Sequence, residues 1–399
     1  MKIKIEKGLA RGKITPPPSK SYAHRQLISS FLSNERCEIT GVSESDDMKA
    51  TLNCISALGG IYEKNGDKIT ILGKENKGKN LTLNCLESGS TIRFFIPISL
   101  IYGTTCTFLG SERLLKRGFD VYFDIFKKQG IKYELTDSYL KIDGTLKPDT
   151  FTVRGDISSQ FITGLLFALP LLDGDSVIEI ISPLESKGYV DITIDVLKNF
   201  GIEIKWEKNK LFVKGNQKYL AKNTQVEADL SNGAFLDAFN VLGGDVDVLG
   251  INEATLQADY VYKELFKSLS EKNPTINLSN CPDLGPIMFA LASYTGGACF
   301  EGTRRLKIKE SDRCEAMATE LEKMSVRSDN FEDRFIVYKS KPKKPKEILN
   351  GHNDHRIVMA LSVLLTTVGG EIEGCEAVNK SYPTFFEDLT KLGIKCERS

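Results

Sequence analysis

The sequence predicts an α/β protein of two similar domains, each built from three helix-then-strand units. Three observations carry this. The chain has 399 residues, 41% apolar and 27% charged, which exceeds one ordinary domain and suits a soluble chain with a sizeable core. Apolar runs of helical length alternate with short segments of period-two hydrophobicity. The pattern also repeats, with Gly60, Gly130 and Gly201 standing 70 and 71 residues apart at the same point of the unit.

Each of these glycines closes a helical run and suits a left-handed helix terminus. Thr51 to Leu58 leads to Gly60-Ile61 and a hairpin turning at Asn65-Gly66-Asp67. Val121 to Lys128 leads to Gly130-Ile131, and Ile194 to Phe200 leads to Gly201-Ile202. Alternation at Ile202, Ile204 and Trp206 is that of a half-buried strand. The second half repeats the unit less clearly. Met317 to Met324 precedes Ser325-Val326 and a strand pair ending at Phe335–Tyr338. Phe385 to Leu392 precedes Gly393-Ile394, and Tyr260 to Leu269 followed by Thr275 to Leu278 reads as another copy.

Composition excludes several classes. With 53 basic and 53 acidic side chains the net charge is zero, which argues against a nucleic-acid or membrane-surface binder. Lysines cluster only in Lys339–Lys346, where prolines mark an exposed loop. The nine cysteines are scattered with no C-x-x-C pair, as free thiols of a reducing cytosol would be. Met1 to Lys20 has no apolar run of a signal peptide, and the 12 residues from Phe161 to Leu172 are too few to span a bilayer. A cytoplasmic protein is expected.

Polar clusters stand repeatedly just before apolar helices. Ser19 after Pro16-Pro17-Pro18 is placed to cap a helix whose first turns carry Lys20, Ser21 and Arg25. Free N–H groups and a lysine there suit phosphate or carboxylate, and Arg25 adds bidentate recognition. Gly89, between Ser88 and Ser90, permits close backbone approach to a ligand, with Arg93 one turn on. Arg113, Lys116 and Arg117 follow at the spacing of a cationic helix face. Ser158, Ser159 and Gln160 offer neutral donors fit for phosphate or a polyol, and Ser186-Lys187-Gly188-Tyr189 is similar. Asp283 sits between Pro282 and Pro286, and Lys309, Glu310 and Arg313 form a dense charged run. Arg356 closes His352-Asn353-Asp354-His355, and Lys380 precedes the last helix. His352 and His355 have the spacing of metal ligands, but His24 is the only other histidine, so no metal site is expected. The set predicts a polyanionic small substrate, or two of them, with the carboxylates Asp283 and Glu310 available as a proton donor and acceptor pair.

The ordered set PPPSKSYAHR, SGSTIR, ISSQF, SKGYVDIT, KIKESDR, NDHR and KSYP, from residue 16 to 383, resembles the 5-enolpyruvylshikimate-3-phosphate synthase family. The resemblance implies the enolpyruvyl transferase fold, an inside-out α/β barrel of two domains with three βαβαββ repeats each, closing on the substrates. It puts residues 1–18 and 227–399 in one domain and 19–226 in the shikimate-phosphate-binding one, with the active site in the cleft between them. It implies transfer of the enolpyruvyl group of phosphoenolpyruvate to the 5-hydroxyl of shikimate 3-phosphate, through a tetrahedral ketal, with phosphate released. This step belongs to the shikimate pathway, which leads through chorismate to the aromatic amino acids. No cofactor, metal, nucleic acid or membrane partner is implied, and the enzyme is expected to be a monomer.

The same resemblance assigns roles. Lys20 is expected to touch both substrates and to act in catalysis. Ser21, Arg25, Ser158, Ser159, Gln160, Ser186, Asp283 and Lys309 are expected at shikimate 3-phosphate. Gly89, Arg93, Arg113, Gln160, Arg313, Arg356 and Lys380, with Lys20, are expected at phosphoenolpyruvate. Asp283 is the expected base and Glu310 the expected acid. Glu87 replaces a common asparagine, Ser90 a threonine and Pro18 a glycine, departures that bear on the phosphoenolpyruvate pocket and on glyphosate. Ser21 after Lys20, and the pair Ser158-Ser159, suit shikimate phosphate better than the sugar nucleotide of the sister UDP-N-acetylglucosamine enolpyruvyl transferases.

Overall fold

The computed structural model describes residues 1–76 and 78–398. The chain divides into two compact units, Pro18–Glu227 and Met1–Pro17 with the chain from Ala228 onward. Each has its own hydrophobic core.

The continuous unit holds three four-stranded sheets. The sheet of Asn80–Asn84, Thr105–Leu109, Tyr139–Asp143 and Lys132–Leu135 shows the plan. Its first two strands pair in parallel across the helix Gly89–Ile101, and its last two form an antiparallel hairpin. A second sheet repeats this with Thr150–Val153, Ser176–Ile180, Lys210–Val213 and Ile204–Glu207. In the third, Thr224–Gln225 pairs in parallel with Cys37–Thr40, so the end of the unit supplies the strand that its beginning lacks. Among the described residues no sheet closes on itself.

Helices, not strands, form the interior. Gly89–Ile101 and Ser159–Ala168 are apolar almost all round and buried along nearly their whole length, as such helices must be. The strands alternate instead: Ser176–Ile180 and Thr150–Val153 bury every second residue and turn the others outward. Residues in the first two turns of the helices touch one another. Ser90 meets Gln160, and His24 joins Thr51, which joins Thr91. These helices therefore run parallel with their N-termini at one end.

The discontinuous unit follows the same plan with substitutions. Thr275–Asn277, Gly297–Glu301, Arg334–Tyr338 and Ser328–Asn330 form a complete sheet. In the last repeat Cys396–Arg398 pairs with the chain's own start, Lys2–Ile5, which also pairs with Gly370–Glu373. The first repeat is reduced to Asp245–Val248 beside Arg11–Ile14.

Two expectations need correction. Thr275–Asn277 does not complete the unit of the helix Tyr262–Ser268; it opens the next one, in parallel with Gly297–Glu301. The left-handed glycine after the helix Asp46–Ala57 is Gly59, at φ 95°, while Gly60 already begins a strand. At Gly130, Gly201 and Gly393 the left-handed glycine stands where the repeat places it, and Ser325 takes that conformation at φ 63°.

Candidate active site

In the continuous unit the helix Lys20–Ser33 begins after Ser19, which occupies the N-cap without a side-chain cap bond. The Lys20 ammonium lies 2.7 Å from Asp47 Oδ2, and both side chains are mostly buried. Asp47 was not singled out from the sequence, where two acids in the first turn of the helix Asp46–Ala57 read as ordinary complements to its dipole. Arg25 is buried to 3% exposure. Its Nε donates to Thr193 Oγ1 at 2.8 Å, its Nη2 to Tyr189 O at 2.9 Å and its Nη1 to Ser21 O at 2.7 Å. Burial brings its pKa down to about 10. It ties its own helix to Lys187–Asn199, the helix preceded by Ser186. Ser186 is fully buried in left-handed backbone, at φ 56°.

Gln160 is the hub of a second cluster. Its Oε1 accepts from Arg93 Nη1 at 2.7 Å and its Nε2 donates to Ser90 Oγ at 2.8 Å. Ser158 caps the same helix by accepting from Gln160 N, and Ser159 is buried beside it. Gly89 begins its helix with Arg117 lying over it, and a Cβ there would stand 2.7 Å from Arg117 Nη1. Arg93 Nη2 also donates to the Arg117 carbonyl at 3.2 Å. Arg113, by contrast, is exposed on the short helix Glu112–Lys116. The sequence shows two arginines at one-turn spacing and does not say which turns inward.

The discontinuous unit gathers charge more densely. Asp283 lies in the turn Pro282–Leu284, before the helix Gly285–Thr295. Its Oδ1 is 2.9 Å from Arg313 Nη1 and 3.4 Å from Lys309 Nζ, and its Oδ2 is 3.3 Å from Arg356 Nη2. Arg313, the first residue of the helix Arg313–Lys323, also donates to Glu310 at 2.7 Å and to Asp354 at 2.9 Å. Arg356 donates to Ser231 Oγ at 2.7 Å and Ser231 O at 3.1 Å. Asp354 caps the helix His355–Leu365 through Arg356 N at 2.9 Å. Lys380 Nζ donates to Asn353 O at 2.6 Å. Lys309, Glu310, Arg313, Asp283 and Arg356 thus form one network, with Lys380 tied to the loop that leads into it. Asp354 and Ser231 are further members that sequence reasoning did not assign; Ser231 carries no local signal at all.

Burial and charge tune these groups. Burial opposes the charge on Arg313, but Asp354, Glu310 and Asp283 outweigh it and hold its pKa above that of ordinary arginine. Burial would likewise raise Asp354, yet Arg313 keeps it below the usual carboxylate range. Burial lowers the Lys309 ammonium to about 8, against the opposing pull of Asp283. Among the described residues no group of three or more His, Cys, Asp or Glu side chains is placed to hold a metal. His352 binds Glu320 instead, at 2.9 Å.

Comparison with known proteins gives the family. Residues 6–389 match the family model of EPSP synthase (3-phosphoshikimate 1-carboxyvinyltransferase). A 3-phosphoshikimate 1-carboxyvinyltransferase of Clostridium novyi is 41% identical, over 98% of this chain and 97% of its own. That of Clostridioides difficile is 40% identical at the same coverage. The EPSP synthase structure of Acinetobacter baumannii superposes with a TM-score of 0.79 at 23% identity, covering 100% of both chains. The enolpyruvyl transferase NikO of Streptomyces tendae does so at 0.79 and 14% identity, over 99% and 98% of the two chains, so these two speak for the fold. The ordered motifs, the two-unit fold and whole-length identity near 40% agree, and the chain belongs to the EPSP synthase family.

Proposed function

We infer that the protein transfers the enolpyruvyl group of phosphoenolpyruvate to the 5-hydroxyl of shikimate 3-phosphate and releases phosphate. The observation that carries this is 41% identity over 98% of the chain to a transferase of that name. In this reading Lys20, Ser21, Arg25, Ser158, Ser159, Gln160 and Ser186 serve shikimate 3-phosphate. Lys20, Gly89, Arg93, Gln160, Arg313, Arg356 and Lys380 serve phosphoenolpyruvate. Arg117, which packs on Gly89, takes the place first given to Arg113.

The chemistry follows from charge. Protonation of the methylene carbon of phosphoenolpyruvate leaves its central carbon cationic. The 5-hydroxyl attacks that carbon and gives up its proton, and the ketal then expels phosphate and loses a methyl proton to regenerate the double bond. Asp283 is the base in this reading and Glu310 the acid, with Lys20 and Lys309 as further proton carriers. Three cations, Lys309, Arg313 and Arg356, stand within 3.4 Å of the Asp283 carboxylate. The fixed cations stabilise charge without reorganisation. A cytosolic location belongs to the same reading, supported by nine cysteines that all stand as free thiols.

The direct test is phosphate release from phosphoenolpyruvate with shikimate 3-phosphate as acceptor. Release that depends on shikimate 3-phosphate supports the reading. Release with UDP-N-acetylglucosamine in its place overturns it.

A further inference from the structure

The helix Arg313–Lys323 carries, two turns beyond Arg313, a second acid that touches no proposed substrate ligand. Glu320 is fully buried. Its Oε1 lies 2.9 Å from His352 Nε2, its Oε2 accepts from the Asn350 backbone N–H at 2.9 Å, and Lys323 Nζ lies 3.0 Å from both oxygens. Those partners keep its pKa below the usual carboxylate range although burial pushes it up.

What Glu320 holds is a short loop with unusual backbone. His352 and Asn353 are consecutive left-handed residues, at φ 49° and 51°, and neither is glycine. Asparagine tolerates this conformation; histidine adopts it at a cost, and such backbone persists only where its surroundings enforce it. Glu320 grips the loop on both sides of Gly351, at Asn350 N and at the His352 ring. Asn350 Oδ1 adds a bond from His352 N at 2.6 Å.

The loop delivers the next two residues to the cation cluster. The Asn353 carbonyl receives Lys380 Nζ, and Asp354 receives Arg313 Nε while capping the helix that begins at His355 and carries Arg356. Arg313 and Lys380 each bond to this stretch and Arg356 follows it directly in the chain, so all three cations meet a segment that one buried carboxylate grips. We propose that Glu320 is a positioning residue for phosphoenolpyruvate, acting through His352 and the left-handed pair His352-Asn353 on Arg313, Arg356 and Lys380. The proposal rests on the assignment of those three cations to phosphoenolpyruvate made above.

The test is steady-state kinetics of Glu320→Gln, per folded molecule, with both substrates varied. Glutamine keeps the shape but removes the charge and replaces one acceptor oxygen by a donor. The expected result is a rise of about tenfold in the KM for phosphoenolpyruvate, with the KM for shikimate 3-phosphate within about twofold of wild type. A lower folded fraction or melting temperature with both KM values unchanged overturns the proposal, as does an equal rise in both. Lys380→Ala is the control for the underlying assignment. If it leaves the KM for phosphoenolpyruvate unchanged, that assignment fails; if it raises the KM while Glu320→Gln does not, the positioning role alone fails. Should Glu320→Gln not fold, His352→Ala and His352→Gly decide. Both delete the ring, but only glycine keeps the left-handed backbone without penalty. The positioning role requires a higher KM for phosphoenolpyruvate in His352→Ala than in His352→Gly, and equal values overturn it.

Discussion

Asp283 is surrounded by the side chains of Arg313, Lys309 and Arg356, and this sets what its replacement should do. Asp283→Asn keeps the shape of the turn but cannot accept a proton. Turnover should fall about 10²-fold or more with little loss of substrate affinity, as steady-state kinetics will show. Lys309 should appear in the pH profile. Its amine loses its proton near pH 8, so kcat/KM should decline above that value, and Lys309→Arg should move the decline upward because guanidinium stays charged. The stability term has the opposite sense. Its folded pKa lies below its unfolded one, so the unfolded chain holds more protons between about 8 and 10.5, and stability contributed by this group rises with pH across that window. Arg117 and Arg113, one turn apart in the continuous unit, give a sharper contrast. Arg117→Ala should raise the KM for phosphoenolpyruvate by tenfold or more, roughly the loss of one charge-assisted hydrogen bond, while Arg113→Ala, removing an exposed side chain, should leave it near wild type.

At the scale of elements, the repeat was legible because glycine has few substitutes in left-handed backbone. Gly130, Gly201 and Gly393 mark helix ends plainly. Ser325 does the same work at φ 63° and conceals its unit from a search for glycine. Its side chain is exposed, so Ser325→Gly should raise stability by up to about 1 kcal/mol, the left-handed penalty less the added freedom of the unfolded chain. Thermal unfolding should show a higher midpoint. Helix starts were readable for a related reason, since polar clusters ahead of apolar runs are visible in any one segment. Contacts between such starts were not. Asp47 beside Lys20, and Ser231 beside Arg356, lie 27 and 125 positions apart in the chain, and nothing local in the sequence couples them. Arg117 was hidden differently, because one-turn spacing brought two arginines forward and only packing against Gly89 separates them.

At the scale of the whole molecule, one unit is continuous and the other is not. Pro18–Glu227 needs no residue from elsewhere for its sheets, whereas residues 2–5 lie between Gly370–Glu373 and Cys396–Arg398 in the last sheet. A chain lacking residues 1–17 should therefore keep the cooperative unfolding of the continuous unit and lose that of the other. Calorimetry of the truncated and full chains checks this, and two intact transitions after truncation would refute it. The placement also sets an order of events during synthesis. Pro18–Glu227 emerges whole and can close while later residues are still being added. The strand at Lys2–Ile5 precedes its partners by some 370 residues, a wait on the order of 20 to 70 s at ordinary elongation rates. For that interval it is an unpaired strand, and its alternation of lysine with isoleucine keeps one face charged, a pattern that discourages pairing with other nascent chains.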